Sequence, residues 1–347
     1  MRKLLIFIFL TIAFIFPVNS VEITVPSAPA EIEKYMPEES VSFGKDLLYI
    51  LKGALAEVTP EIAEGISICA AVIVIQMLVS ILQNCSGISK KVVTLTGIIG
   101  ICTLLLTPSK AMLQIGIETI EKLYEYNKLL LPVMTAALAA QGGSTTSAAL
   151  YAGTIVIDTI LTTIISKVLL PLLYGYIALG IASVAIDEPI LKKLLALVKW
   201  IMTWLLKLSI YLFTGYMTIT GVVSGTVDSA ALKATKLTIS GSVPVIGNII
   251  SDASEAILVS AGIVKNTAGI YGAMVIITIW IVPFLKIGIQ YLMLKLTAGF
   301  SSLFAEKATT NAVEHISTVM GFILAMIGTI CLLLLISIVC FMKGMNG

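Results

Sequence analysis

Three ionisable residues lie inside long apolar stretches of the sequence: Asp158, Lys207 and Lys286. A charge at the centre of a bilayer costs about 2.5–3.5 kcal/mol on insertion scales, so such residues usually face a partner or a water-filled cavity. One interpretation of the pattern is a solute or ion path in which Asp158 and Lys207 pair inside a helical bundle. The alternative is a structural ion pair at Asp158, with both lysines extending toward the membrane surface.

Motifs for catalysis or metal binding are missing from the sequence. Its one histidine, His315, excludes H-E-x-x-H and any site with several histidines. The sequence contains neither G-x-S-x-G nor G-x-x-x-x-G-K-[ST], which argues against a nucleophile elbow and a nucleotide-binding P-loop. We therefore predict no catalytic residue, no cofactor and no metal site, and a protein that is not an enzyme.

Composition places these residues in a membrane protein. The 347 residues are 58% hydrophobic and only 12% charged, with a mean hydropathy of +1.04. Soluble domains carry roughly twice that share of charge. The charge balance also excludes a nucleic-acid-binding protein with a basic face. We expect an all-α, polytopic bundle of about eight spans with broken or re-entrant helices.

Three regions follow one another along the chain. Residues 1–20 carry a basic start and a short apolar run, which is typical of a signal peptide cleaved after Ser20, with an uncleaved anchor as the alternative. Residues 21–64 predict an extracytoplasmic arm. Its amphipathic helix at 42–57 would lie on the membrane, on a partner or on its own protein. Residues 65–347 form the predicted membrane domain.

The number of spans depends on residues 129–153, an apolar stretch interrupted by polar and small residues at 141–147. Either two helices meet there at a cytoplasmic turn, or a hairpin dips into the membrane and returns. If the stretch crosses twice, the lysine-rich loops lie inside and the C-terminus lies outside. An interfacial helix is predicted at 114–128. The other predicted spans are 66–83, 92–107 (ending at Pro108), 148–165, 168–186, 200–223, 268–290 and 316–342.

Residues 224–267 are too apolar for a free loop and too broken for one span. Small residues allow close helix packing, so the segment predicts a re-entrant hairpin or a subunit interface, with a surface-lying helical pair as the alternative. The residues singled out are Gly241, Pro244, Gly247, Asp252, Glu255 and Gly262.

Residues 236–272, together with Pro-Phe-Leu-Lys-Ile-Gly at 283–288, resemble the stage III sporulation protein AE family of endospore-forming bacteria. The resemblance implies a multi-pass protein of the mother-cell membrane around the forespore. It also implies partners: the other stage III sporulation A proteins, AA to AH, and stage II sporulation protein Q. Membrane lipid is a further expected partner, and nucleic acid is not. The resemblance supplies no catalytic residues.

The sequence thus leads to one main functional hypothesis and two alternatives. The first is a membrane component of the mother cell–forespore channel, in particular its permease or export-gate unit. The second is an autonomous secondary transporter that uses the intramembrane Asp and Lys residues. The third is a scaffold that conducts nothing.

Overall fold

The structure, a computed structural model, describes residues 26–37, 43–85, 89–140, 144–219 and 267–344. The predicted signal peptide at 1–20 lies outside the described residues. So do the six residues singled out in the semi-polar segment: Gly241, Pro244, Gly247, Asp252, Glu255 and Gly262.

The fold is all-helical throughout the described ranges, as predicted. Six of its helices are long and apolar enough to cross a membrane. In chain order the helices are α1 (Ala30–Glu33), α2 (Phe43–Gln83), α3 (Lys90–Ala140), α4 (Ser144–Ile164), α5 (Leu170–Ile186), α6 (Pro189–Ile219), α7 (Thr267–Ser301) and α8 (Lys307–Gly344). A single π-helical turn, Ile165–Leu169, joins α4 to α5 without a break in the helical path.

The helices are much longer than the predicted spans. The 51 residues of α3 extend about 75 Å, more than twice the ~30 Å hydrocarbon core. This helix continues through Pro108, so the predicted end there is wrong. A proline removes one backbone hydrogen bond, a loss that packing against neighbouring helices can offset in a bundle. The predicted interfacial helix at 114–128 is part of the same helix.

This length accounts for six spanning helices in the described ranges where the sequence suggested about eight. The predicted span 92–107 and the first part of 129–153 both belong to α3. The spans 148–165 and 168–186 are likewise one continuous path through α4 and α5. The polar interruption at 141–147 falls where α3 ends and α4 begins, at one end of the bundle rather than within a span.

Side-chain contacts show how the helices run. Glu61 pairs with Lys286 at 2.8 Å, and Ser80 donates to the carbonyl of Phe304 at 3.2 Å, so α2 and α7 are parallel. The α3 residue Asn127 meets Asp158 of α4. Successive long helices therefore alternate in direction. The arm and the last turns of α8 lie at one end of the bundle, the arm end.

Helix α8 is the centre of the bundle. Every residue from 319 to 335 is buried, and α3, α5 and α7 pack around it. Gly116 of α3 has no room for a side chain, because a Cβ there would collide with Ile323 of α8. Close approach at small residues is the usual way in which membrane helices gain packing contacts.

Large apolar side chains are exposed mainly along the half of the bundle opposite the arm. On α2, Leu48, Tyr49 and Leu55 are exposed nearer the arm, and one row extends from Ile62 to Leu82, which corresponds to about 30 Å of helix. This equals the thickness of the hydrocarbon core, so we take this apolar belt as the lipid-facing surface. Its other members include Val92, Ile99, Leu106, Val168, Tyr174, Ile181, Ile190, Leu197, Trp200, Trp204, Leu292, Leu296 and Phe300.

The exposed face of α3 changes character at Lys110. Members of the apolar belt lie between the start of α3 and Lys110. Between Gln114 and Lys128 the exposed residues are polar or charged (Gln114, Glu118, Glu121, Glu125 and Lys128), and Leu129 is exposed directly after them. The sequence division at Pro108 therefore marks a change of surface along a continuous helix. The arm end of the bundle extends beyond the belt.

The opposite end of the belt is rich in lysine. Lysines concentrate near the connections between α2 and α3, α5 and α6, and α7 and α8, and such an excess marks the cytoplasmic side. We call this lysine-rich end the cytoplasmic end; the extracytoplasmic side of the arm and of the C-terminus stays a prediction. The lysines are Lys90, Lys91, Lys192, Lys193 and Lys307.

Candidate functional site

Asp158 is buried at the arm end of the bundle. It is 6% exposed, and its Oδ2 accepts a hydrogen bond of 2.9 Å from the side-chain amide of Asn127. The 28 helical residues that separate it from Ile186 correspond to about 42 Å, so it lies beyond the apolar belt. Its partner is thus Asn127 rather than the predicted Lys207.

Lys207 and Lys286 lie near the outer boundary of the belt, not at its centre. From the cytoplasmic ends of α6 and α7 they are about 27 Å and 22 Å away along the helix. Lys207 is exposed, whereas Lys286 pairs with Glu61 at 2.8 Å. The structure does not bring Asp158, Lys207 and Lys286 together, and the positions of both lysines fit side chains that reach for the membrane surface.

A polar cavity of about 320 Å³ opens at the cytoplasmic end, between α5, α6 and α8. Along α5 it extends from Asp187 to Tyr176, about 16 Å into the depth of the belt. Lys192 forms an ion pair with Asp187 and holds the pKa of this carboxyl below its usual range. The other charged lining residues are Lys199 and Glu314.

A second cavity, of about 460 Å³, lies between α3, α5 and α8 and is lined mainly by apolar side chains. We call it the membrane groove. Leu106, Tyr174 and Ile181 form part of its wall and are also exposed at the belt, so the groove opens toward lipid. Lys110 and Gln114 line its outer end.

Tyr176 and His315 separate the two cavities and line both of them. Their rings meet edge to face, with centroids 6.2 Å apart. Gly180, one turn along the same face of α5 as Tyr176, also packs against the histidine: an added Cβ there would lie 3.4 Å from the Cβ of His315. Val184 lines both cavities as well, so the two cavities meet at these side chains.

Comparison with known proteins identifies the family. The model of stage III sporulation protein AE matches residues 31–344, nearly the whole chain. The chain belongs to this family. A relative from Bacillus subtilis (strain 168), "Stage III sporulation protein AE", is 23% identical over 221 residues, which cover 64% of this chain and 55% of the relative. The match thus spans about half of the length of that relative. No solved structure matches the chain.

This stage III sporulation protein AE family member holds no candidate metal cluster in the described ranges, where no three His, Cys, Asp or Glu side chains come together. Several of its charged residues form ion pairs. Besides Lys286 and Glu61, Lys295 pairs with Glu314 at 2.7 Å, and Glu314 lines the cytoplasmic cavity. Pairs of this kind position helices and neutralise charge.

The sequence did not indicate that His315 lines two neighbouring cavities. The residue was noted only as the one histidine of the chain, at a predicted membrane boundary. The available signal was the spacing of Tyr176 and Gly180, four residues apart and hence on one face of a helix. That this face meets His315 depends on the packing of α5 against α8, which has no local sequence signature.

Proposed function

We propose that this protein is the polytopic membrane component of the mother cell–forespore channel required for endospore formation. In this proposal it resides in the mother-cell membrane around the forespore and acts with the other stage III sporulation A proteins, AA to AH, and stage II sporulation protein Q. Membership of the stage III sporulation protein AE family supports this role. The name of the curated relative points the same way.

The observation that carries the proposal is the half of the bundle beyond the apolar belt. A protein that only crossed the membrane would need helices of about 20 residues, whereas α2 has 41 and α3 has 51. The additional length carries the docked arm and a row of exposed acids on α3: Glu118, Glu121 and Glu125. Such a folded, charged surface outside the membrane suits the docking of extracytoplasmic subunits.

The residues at the centre of the bundle indicate where a passage could form. Within the described residues α8 is surrounded by apolar side chains, and no file of charged groups runs along it. A hydrophilic solute would need polar groups to replace its hydration. We therefore place the passage between several subunits, with this protein as the permease or export-gate unit of the assembly. If no passage forms in the assembly, this protein would act as a scaffold that conducts nothing.

Charge reversal on the exposed acids tests the proposal. We expect the triple variant Glu118→Lys, Glu121→Lys, Glu125→Lys to accumulate in the membrane but to lose its partners and late forespore gene expression. The matched control replaces the same three residues by Asp, which keeps the charge. Partner recovery on affinity purification and a late forespore reporter are measured. Normal spores and full partner recovery in the reversed variant would contradict the proposal.

An autonomous secondary transporter is the second candidate, and the pair of cavities that meet at His315 favours it. Alternating access requires two cavities separated by a thin barrier that can open on either side. The purified protein in liposomes would then carry a solute or ion alone, and His315→Ala would change the rate. Absence of flux for all candidate solutes, with intact protein, would eliminate this function.

A further inference from the structure

The membrane groove has the dimensions of a binding site for one lipid chain. Its volume of about 460 Å³ falls within the range of roughly 300–1,000 Å³ that is usual for small-ligand pockets. Along α3 it extends from Cys102 to Gln114, about 18 Å of helix. One leaflet of the hydrocarbon core is about 15 Å thick, half of the ~30 Å total. The groove therefore matches the length of an acyl chain in a single leaflet.

The groove reaches from the interior of the belt to the outer end of its α3 wall. Along α3, Lys110 lies 20 residues, or about 30 Å, from the start of the helix, and the row of exposed apolar residues ends there. Along α5 the lining residues run from Val184, two residues before the end of the helix, to Tyr174, about 18 Å from that end. The opening beside Leu106 and Ile181 faces lipid rather than water.

The outer end of the groove is polar, unlike its walls. Lys110 and Gln114 are exposed there, at headgroup depth. Lys110 forms no ion pair with any described residue. The Ser109 hydroxyl, buried beside it, has no hydrogen-bond partner in the same part of the chain. A cation, an amide and a free hydroxyl at the end of an apolar groove are complementary to a phosphate-bearing headgroup with one acyl chain below it.

We propose that the membrane groove binds an anionic phospholipid of the surrounding membrane, with its headgroup at Lys110 and one acyl chain against Leu106, Ile177 and Val319. The chain would reach the Tyr176–His315 pair, which also lines the groove. A bound lipid would then support the barrier between the two cavities from the membrane side. This site is independent of the proposed channel role.

Retention of defined lipids by the purified protein tests the headgroup contact. The detergent-solubilised protein is incubated with phosphatidylglycerol or phosphatidylcholine, and bound lipid is counted by native mass spectrometry. We expect preferential retention of phosphatidylglycerol and a loss of about fivefold in Lys110→Gln, the usual effect of one lysine near an anionic headgroup. The control is Lys207→Gln, which removes an exposed lysine of the outer boundary outside the groove lining.

A second pair of variants tests the acyl-chain contact. Ile181→Trp narrows the groove opening, and Ile190→Trp places the same ring elsewhere on the belt; both isoleucines are exposed, so neither change disturbs the core. We expect only Ile181→Trp to reduce retained phosphatidylglycerol. Equal retention of both lipids by the unmodified protein, or equal losses in a variant and its control, would overturn the proposal.

Discussion

At the residue scale, the membrane protein satisfies most buried polar groups by pairing them. Asp158 is the clearest case, because its burial would be costly without the hydrogen bond from Asn127. Gln83 is another: its amide donates to Thr94 at 2.8 Å and also to Glu306, close to the turn that precedes α8. Gln76 differs from both. It is fully buried, and neither atom of its amide has a partner among the described residues.

The Asn127–Asp158 contact predicts unequal effects of two substitutions. Asn127→Leu leaves a buried carboxyl without its donor and should lower the free energy of unfolding by about 1–3 kcal/mol. Asp158→Asn keeps the size and an acceptor oxygen, so its effect should stay below about 1 kcal/mol. Equilibrium unfolding in mixed micelles measures both. A larger loss in Asp158→Asn would mean that the charge itself is required.

Gln76 predicts a stabilising substitution. Gln76→Leu removes an unpaired buried amide at similar volume and should raise the free energy of unfolding by about 1–3 kcal/mol. Gln83→Leu is the matched control on the same helix and should have the opposite sign, since it breaks contacts with Thr94 and Glu306. If both variants lose stability to the same extent, Gln76 has a partner that the described residues do not include.

At the element scale, the arm is held to the bundle by contacts with three long helices. The backbone N–H of Ala28 donates to the Tyr271 hydroxyl at 3.2 Å, and the Tyr126 hydroxyl donates to the carbonyl of Pro26 at 3.5 Å. Lys122 pairs with Glu31, and the Tyr35 hydroxyl donates to Glu57 of α2. These contacts hold the arm against α2, α3 and α7 at the arm end of the bundle.

Removal of both tyrosine hydroxyls should loosen the arm. In Tyr126→Phe, Tyr271→Phe two hydrogen bonds of about 1 kcal/mol each are lost, so hydrogen-exchange protection at 26–36 should fall at least about tenfold. Protection in α8 should not change, because its burial is independent of the arm. The contrary result, full protection of 26–36 in the double variant, would show that apolar contacts alone hold the arm.

The arm should also respond to pH. Lys122 lowers the pKa of the Glu31 carboxyl from its ordinary value of 4.5. A lowered pKa means that this contact contributes above the ordinary value and is lost as the pH falls through the lowered one. The protection factors at 26–36, which correct for the intrinsic pH dependence of amide exchange, should therefore fall under acid conditions in the unmodified protein. Glu31→Gln should already show the lower protection factors at neutral pH.

At the scale of the whole molecule, the apolar belt covers only one half of the bundle. The helices are therefore long for two reasons: about 30 Å crosses the membrane, and the remainder builds a folded body beyond the belt. The same α8 runs through both halves and packs against α3, α4, α5, α6 and α7. Loss of packing in either half should consequently affect the other.

Cysteine accessibility tests this placement. In a chain whose native cysteines are replaced by Ala, Glu121→Cys should react with a membrane-impermeant maleimide added outside intact cells. Lys192→Cys should react only after permeabilisation, and Ile99→Cys in the apolar belt should react in neither case. Labelling of Ile99→Cys as fast as Glu121→Cys would place the membrane elsewhere on the bundle.

The sequence by itself determined the membrane class, the helical fold and the family, because these depend on composition, runs of apolar residues and a local block of residues. It placed the end of a span at Pro108, which is wrong, because α3 continues through this residue. It placed Lys207 and Lys286 inside spans because both lie in apolar stretches, and an apolar stretch does not reveal whether its residues face lipid or the protein interior.

Only the tertiary structure decided how much of each helix lies in the membrane. An apolar run buried against α8 and one exposed to lipid have the same composition, so the sequence placed spans wherever such runs occur. The partner of Asp158 and the meeting of Tyr176 with His315 both arise between different helices. Packing determines such contacts, because complementary surfaces, and not local spacing, select which helices meet.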